Sequence, residues 1–124
     1  MGRIFVEFLD SKEIYCCVKC HTHLVDKQHL ISKSFWGKSG KAYLMDHVIN
    51  VKLGPPKDKM MMTGLHTVKT VFCKFCCCEL GWTYIHAYEQ SEKYKVGKFI
   101  LERKLVGKWN ERTARKLRRK MGKQ

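Results

Sequence analysis

Hydrophobic and polar residues alternate with a period of two along several short stretches of the chain. From residue 43 to residue 53 the odd-numbered positions are apolar or aromatic except for His47, and residues 82–88 alternate in a similar way. Residues 67–72 are rich in β-branched side chains. Because successive side chains of a strand point to opposite faces, this pattern predicts short, half-buried β-strands.

Turn-forming residues separate these stretches. Gly37 and Gly40, the sequence Gly54-Pro55-Pro56, and Gly64 lie where the chain has to reverse. We therefore predict a mainly β fold with seven or eight short strands in one antiparallel domain. A length of 124 residues suits one domain. Because so small a domain buries a limited core, we expect a metal or disulfide to add to its stability.

Charge is distributed unevenly along the chain. Basic residues outnumber acidic ones by 25 to 11, which gives a formal net charge of +14. Residues 103–124 contain ten basic residues and one acidic residue, or +9, whereas residues 1–102 contain 15 basic and 10 acidic residues, or +5. The basic character therefore belongs mainly to the C-terminal end and does not by itself predict a nucleic-acid-binding domain.

The predicted domain spans residues 1–106, and residues 107–124 form a basic tail. Asn110 can cap a helix over about 111–121, whose apolar stripe is too narrow to dock firmly. We expect deletion of 107–124 to change the free energy of unfolding by less than about 1 kcal/mol. The basic run in this tail could be a solvated segment, a nuclear localisation signal or a nonspecific nucleic-acid contact. It consists of Arg112, Arg115, Lys116, Arg118, Arg119 and Lys120.

Cysteine usage and the absence of long apolar runs indicate a reducing compartment. No run of 18 or more apolar residues is present, and the first residues contain no apolar stretch long enough for a signal peptide. We therefore expect an intracellular protein that does not act in a membrane. Seven cysteines, an odd number that includes two tight pairs, then indicate metal binding in place of disulfides.

Two Cys-x-x-Cys pairs, Cys17/Cys20 and Cys73/Cys76, are separated by 52 residues. Two residues between the cysteines of a pair allow a tight turn that directs both sulfurs at one ion. Four thiolates then complete a tetrahedral shell that suits zinc. We predict one structural Zn²⁺, whose closed shell leaves no position for water or substrate and whose binding contributes folding free energy on the order of 10 kcal/mol.

Residues close to these pairs leave alternatives open. Cys16 could pair with Cys20 in place of the predicted ligand, and His21 or His23 could replace one cysteine. Three cysteines are left over and could be buried, exposed or redox-sensitive thiols. They are Cys16, Cys77 and Cys78.

The spacing of the cysteines and of several other residues resembles the pattern of the Yippee-like family. Nineteen residues separate Cys20 from Gly40, eight separate Gly64 from Cys73, and four separate Cys76 from the sequence Gly-Trp-Thr-Tyr. The likeness extends over nearly the whole chain before the basic tail. It includes the stretches 29–35, 63–66 and 93–98.

This resemblance implies a β-tent, in which two antiparallel sheets are clamped by one four-cysteine zinc site. The Mis18 domain and the thalidomide-binding domain of cereblon share that fold. The resemblance also implies a non-enzymatic protein of the nucleus and cytoplasm, associated with centrosomes or the spindle. The first five residues and residues 100–103 resemble one divergent branch, the Yippee-like 5 type, which is found with the CTLH-type (GID) ubiquitin ligase.

Four side chains are candidates for a binding cleft near the zinc site: Trp82, Tyr84, His66 and Phe35. Trp82 lies only six residues beyond Cys76, on a strand that the second cysteine pair anchors. These aromatic residues could instead be core residues that brace the two sheets, so both interpretations stay open.

The sequence favours a zinc-stabilised protein-binding module, an adaptor or accessory subunit of a ubiquitin-ligase or cell-division assembly. A nucleic-acid-binding protein that uses its basic tail is the alternative. A sulfoxide-reductase-like enzyme is a third interpretation. Against it, Cys77 and Cys78 crowd the zinc ligands, and the sequence contains no recognisable catalytic constellation.

Overall fold

The chain forms ten strands in two antiparallel sheets within the part that a computed structural model describes, residues 7–10 and 12–109. The predicted tail helix and the basic run lie outside these residues. The strands are β1 (Ile14–Cys17), β2 (His23–Asp26), β3 (Leu30–Gly37), β4 (Gly40–Met45), β5 (Val51–Leu53), β6 (Lys57–Met61), β7 (Gly64–Cys73), β8 (Glu79–Ala87), β9 (Phe99–Glu102) and β10 (Val106–Trp109).

Three short 3-10 helices connect some of these strands. They are Lys27–His29, Gln90–Lys95 and Arg103–Leu105. None of the helices in the described residues has the length and apolarity needed to span a bilayer.

The two sheets differ in size. The small sheet has the strand order β10-β1-β2, and the large sheet has the order β3-β4-β9-β8-β7-β5, with β6 also paired to β7. The predicted fold class, mainly β with two antiparallel sheets, is confirmed. The strands predicted at 67–72 and 82–88 are also confirmed, since β7 and β8 cover these positions almost completely.

Two strand predictions were wrong: seven or eight strands were expected where the described residues form ten, and the second error concerns one long strand. Residues 43–53 were expected to form a single strand, but β4 ends at Met45 and β5 begins only at Val51. Asn50 has φ 58°, in the left-handed region, where an extended strand cannot continue. The alternating pattern therefore belongs to two strands joined by an irregular connection.

The side chain of Asn50 explains why this connection is ordered. It accepts a hydrogen bond from the Glu7 N–H at 2.7 Å and donates to the carbonyl oxygens of Glu7 and His23, each at 2.7 Å. His23 adds a further contact, because its Nδ1 accepts from the Leu9 N–H at 3.0 Å. Together these bonds hold residues 7–10 against the small sheet.

Buried apolar residues form two cores, one on each face of the large sheet. The first core includes Tyr15 and Leu24 of the small sheet together with Leu101 of β9, so it lies between the sheets. Ile100, the neighbour of Leu101, belongs to the second core with Tyr84. Because successive residues of a strand point to opposite faces, the second core lies on the face directed away from the small sheet.

A β-bulge in β8 determines which core each of its side chains enters. Val71 pairs with Gly81 and the next residue of β7 pairs with Glu79, which leaves Leu80 as the extra residue. Without the bulge Leu80 and Trp82 would share one face of the sheet. With it, Leu80 packs in the first core while Trp82 and Tyr84 reach the second.

Strand β10 crosses the predicted domain boundary at residue 106. Gly107 pairs with Cys16 of β1, whose Sγ lies 3.5 Å from the Gly107 carbonyl oxygen. The Trp109 ring lies 5.2 Å from the His23 ring. The boundary stays a prediction, but the expectation that residues 107–124 contribute little to stability has to be revised.

Two truncations are expected to separate the strand from the residues that follow it. Deletion of 110–124 should change the free energy of unfolding by less than about 1 kcal/mol, since it leaves β10 complete. Deletion of 107–124 removes most of β10 and uncovers β1, so we expect a loss of about 2 kcal/mol or more. Chemical denaturation of both proteins measures the difference, and equal stabilities would contradict a stabilising role for β10.

Candidate metal centre and binding groove

The two cysteine pairs lie in turns of the same geometry, one in each sheet. The first turn joins β1 to β2, and the second joins β7 to β8. In the first, the His21 N–H donates to the Cys17 carbonyl at 2.8 Å; in the second, the Cys77 N–H donates to the Cys73 carbonyl at 2.9 Å. His21 and Cys77 have φ values of 62° and 64°. In each turn, the residue directly after the second cysteine adopts a left-handed backbone conformation. This conformation lets the chain reverse into its next strand.

The four sulfurs of these turns converge at one point. Cys17 Sγ lies 3.6 Å from Cys76 Sγ, and Cys20 Sγ lies 3.5 Å from Cys73 Sγ. All four sulfurs lie within 4.8 Å of one another. A tetrahedral ion with sulfurs at about 2.3 Å would hold its ligands about 3.8 Å apart. The donor set therefore fits zinc in both type and spacing.

Local hydrogen bonds and burial have opposite effects on the pKa values of the four cysteine thiols. The backbone N–H groups of Lys19 and Cys20 act against burial and favour a lower pKa of the Cys17 thiol. Burial nevertheless raises the pKa of Cys17 to about 11 and raises the pKa values of Cys73 and Cys76. Burial also acts on Cys20, but hydrogen bonds from the Thr22 side chain and backbone outweigh it and lower the pKa of Cys20 to about 7. A divalent cation would have to displace the remaining thiol protons.

The residues considered as alternative ligands lie outside this group. The His23 Nδ1 is engaged by the Leu9 N–H, and the His21 ring lies 6.2 Å from the Trp109 ring. Cys16 is directed at the Gly107 carbonyl, and burial raises the pKa of its thiol to about 11.

The two cysteines that follow the second pair have separate surroundings. Cys77 is exposed and accepts a hydrogen bond from the Lys52 ammonium at 2.8 Å. The Cys78 thiol, which is partly buried, lies 3.7 Å from the Glu79 carbonyl oxygen.

A groove of about 600 Å³ lies over the second core. The β3–β4 hairpin forms one wall with residues 34–38, and the β6–β7 hairpin forms the other with residues 59–63. Of the four predicted cleft residues, Phe35, Trp82 and Tyr84 line the groove. Burial raises the pKa of the Tyr84 hydroxyl.

His66, the fourth predicted cleft residue, lies beneath the groove and does not line it. Its side chain is completely buried, and its ring lies 5.2 Å from the Tyr84 ring. Nδ1 lies 3.0 Å from the Gly64 carbonyl oxygen, to which it can donate. His66 therefore supports Tyr84 from below.

Lys95 is the groove residue that sequence reasoning missed. Only 4% of its surface is exposed, and its ammonium group lies 2.7 Å from Glu92 Oε2 and 3.2 Å from Thr63 Oγ1. The same nitrogen lies 5.2 Å from the centre of the Phe35 ring and 5.5 Å from that of Tyr84. A charged group is thus fixed between aromatic faces in the floor of the groove.

Three exposed apolar side chains line the walls. Trp36 of the first hairpin is 69% exposed, Met60 of the second is 72% exposed, and Met62 is fully exposed. The run of three methionines, which cannot all face inward on a strand, is a sequence signal that could have indicated the second wall. The turn at Gly37 and Gly40 was predicted, but the sequence pattern did not indicate that Trp36 beside it would be exposed at the groove.

A buried carboxylate fixes the hairpin that carries Trp36. Glu102 Oε1 accepts hydrogen bonds from the Ser39 N–H at 2.7 Å and from the Ser39 hydroxyl at 2.8 Å. A Cβ atom at Gly37 would lie only 2.7 Å from the same oxygen. Glycine therefore allows the hairpin to approach Glu102 closely, and the approach ties the groove wall to β9.

Comparison with known proteins relates the chain to one family. Residues 13–119 match the family model described as Yippee zinc-binding/DNA-binding and Mis18, centromere assembly. A putative yippee-like protein of Oryza sativa subsp. japonica is 45% identical over 119 residues, which cover 90% of this chain and 98% of that protein. A yippee-like protein of Solanum tuberosum is 51% identical over 108 residues, covering 86% and 83%.

Two further similarities extend the comparison. The yippee-like 3 protein of Danio rerio is 48% identical over 102 residues, covering 82% of this chain and 86% of that protein. The crystal structure of the Mis18 'Yippee-like' domain matches the fold with a TM-score of 0.64 at 12% identity, covering 79% of this chain and 95% of that one. At that level of identity the match shows a shared fold.

Proposed function

This chain belongs to the Yippee–Mis18 family, and from that premise we propose that it is a zinc-stabilised, non-enzymatic protein-binding module. In this proposal one Zn²⁺ joins the turn of the small sheet to the turn of the large sheet through Cys17, Cys20, Cys73 and Cys76. Four thiolates fill a tetrahedral shell, so such an ion would act on structure and leave no position for substrate.

The groove is the observation that carries this proposal. Three exposed apolar side chains line its walls: Trp36, Met60 and Met62. Its floor contains Trp82 and Tyr84. Exposed apolar side chains that cluster on one surface are typical of binding sites, and flexible methionines adapt to partner surfaces. The metal would stiffen the β7–β8 turn, and β8 carries the floor residues directly from that turn.

The cellular setting forms part of the same proposal. We infer an adaptor or accessory subunit in a CTLH/GID-type ubiquitin ligase or a cell-division assembly, acting in the nucleus and cytoplasm, including the centrosome or spindle. Support comes from the family resemblance and from the description of the matching family, which includes centromere assembly. Assignment to the Yippee-like 5 branch stays a prediction.

The experiment compares the groove with an exposed apolar position outside it. We expect a Trp36→Ser/Met60→Gln protein to stay folded and to bind purified partners at least about 30-fold more weakly, because truncating central contact residues costs about 2 kcal/mol or more. Ile31→Ser is the matched control, since Ile31 is 48% exposed on β3 and does not line the groove.

Partners are first captured with wild-type protein and identified by mass spectrometry, and their affinities for the three proteins are then measured with purified components. Thermal melting on the same samples reports folding. Wild-type affinity in the groove variant, or an equal loss in Ile31→Ser, would contradict the proposal. His66→Ala is not suited to this test, because removing a completely buried ring leaves a cavity beneath the groove.

Nucleic-acid binding is the second candidate function. It is favoured by the DNA-binding wording of the family description and by the net charge of +14. Filter binding at increasing salt separates the two candidates, because neutralised phosphates make affinity fall steeply with salt. A steep loss would support the second candidate, and an absence of binding at low salt would remove it.

A further inference from the structure

The Lys95 ammonium group has one N–H left for a ligand. An ammonium nitrogen has three donors, and two oxygens lie within hydrogen-bond distance of it in the described residues, one from Glu92 and one from Thr63. Phe35, Tyr84 and Tyr94 surround the nitrogen with ring centres 5.2 to 5.9 Å away. The charge is therefore held in position before any ligand arrives.

Trp82 supplies a second donor at the same groove. Its indole Nε1 is buried and makes no hydrogen bond of good geometry within the described residues, the Tyr84 hydroxyl being only a weak partner. A buried N–H without an acceptor costs free energy, and a ligand oxygen that reached it would remove this cost. Both donors favour a ligand that carries acceptor oxygens.

The charges around the groove favour the same kind of ligand. Lys38, Lys59 and Lys95 line it, but Lys95 is paired with Glu92 and Lys38 lies 3.7 Å from Glu79 Oε1, so Lys59 leaves a local charge of +1. Lys59 Nζ lies 5.9 Å from the centre of the Trp82 ring, so one cation stands beside the apolar floor. The chain's own basic C-terminal residues carry the wrong charge to fill this groove.

We propose that the groove binds an acidic segment of a protein partner, with a carboxylate at Lys95 and an apolar or aromatic side chain against Trp82. This inference rests on the proposed function and adds the chemistry of the partner. The exposed Trp36 and Met60 cover the apolar anchor, and Lys38 and Lys59 meet the flanking carboxylates.

The test uses three blocked pentapeptides with a central phenylalanine flanked on both sides by two Glu, two Gln or two Lys residues. Titration followed by ¹⁵N NMR gives each affinity and reports on the Trp82 indole N–H. We expect the Glu peptide to bind at least tenfold more tightly than the Gln peptide and to shift the Trp82 indole signal. The Lys peptide should bind most weakly.

A charge-neutral double variant tests the role of Lys95. Lys95→Met with Glu92→Gln removes both members of the ion pair, so the net charge of the protein does not change. The preference for the Glu peptide over the Gln peptide should fall to less than threefold. Lys41→Met is the control, because this exposed lysine of β4 lies outside the groove, and it should keep the tenfold preference. If the double variant does not fold, Lys59→Gln at the exposed rim replaces it, with an expected loss of at least threefold in affinity for the Glu peptide.

The possible failures can be told apart. Equal affinities for the Glu and Gln peptides, or tighter binding of the Lys peptide or of a single-stranded oligonucleotide, would overturn this inference. So would an unchanged preference in the double variant. If no peptide binds while purified partners still depend on Trp36 and Met60, the inference fails and the proposed function stands. If partners do not depend on these residues either, both fail.

Discussion

Cys73→Ser is expected to leave a chain that is largely unfolded. Cys73 is completely buried at the end of β7, and its sulfur lies 3.5 Å from that of Cys20, which belongs to the other sheet. Without this thiolate the four-sulfur shell cannot close. A structural zinc site contributes on the order of 10 kcal/mol, as much as the whole stability of a typical domain.

Metal analysis and thermal melting monitored by circular dichroism test this expectation. We expect one zinc per wild-type chain and no cooperative melting of Cys73→Ser. Cys77→Ser is the control, because Cys77 is exposed and its sulfur lies outside the four-sulfur group. It should keep one zinc and melt like the wild type. Two ions per wild-type chain, or native melting of Cys73→Ser, would contradict the single structural site.

Local patterns explain why the strands and the cysteine group could be predicted from sequence. A strand has a period of two, and a Cys-x-x-Cys turn is defined by neighbouring residues, so both leave a mark within a few positions. To predict that the two cysteine pairs converge, it was enough to know that one zinc ion takes four ligands. The breaks at Asn50 and Leu80 do not interrupt the apolar pattern, and for that reason two strands were joined in the prediction and the bulge was missed.

Features that depend on distant partners could not be predicted in this way. Strand β10 is defined by its pairing with β1, about ninety positions earlier, and its short sequence stands at the start of a basic run that suggests a solvated tail. The sequence around Lys95 did not indicate that this residue is buried. A lysine is buried only where the tertiary structure supplies a counter-charge. Glu92 supplies it, but two of the aromatic faces, those of Phe35 and Tyr84, come from other parts of the chain.

We expect Gly81→Ala to destabilise the fold strongly. A Cβ atom at this position would overlap the carbonyl oxygen of Ile100 and lie 3.2 Å from the Cα of Leu101. These are backbone atoms of β9, which is also paired to β4 on its other side. The clash can be relieved only by separating central strands, so we expect a loss of about 3 kcal/mol or more.

Gly54→Ala is the matched control for this substitution. The nearest atom to a Cβ at Gly54 would be a ring carbon of Phe72 at 3.4 Å, an ordinary contact. Its free energy of unfolding should stay within about 1 kcal/mol of the wild type. Urea denaturation of the zinc-loaded proteins measures both effects.

The effect of Gly81→Ala should extend to the groove, because Gly81 lies between the bulged Leu80 and the floor residue Trp82. Moving β8 away from β9 would disturb the alternation that sends Leu80 to the core between the sheets and Trp82 to the opposite face. We therefore expect the Trp82 indole NMR signal of Gly81→Ala to shift or broaden even where the protein is still folded. Wild-type stability with an unchanged Trp82 signal would mean that β8 and β9 tolerate a side chain between them, and that the bulge, not the glycine, fixes the groove floor.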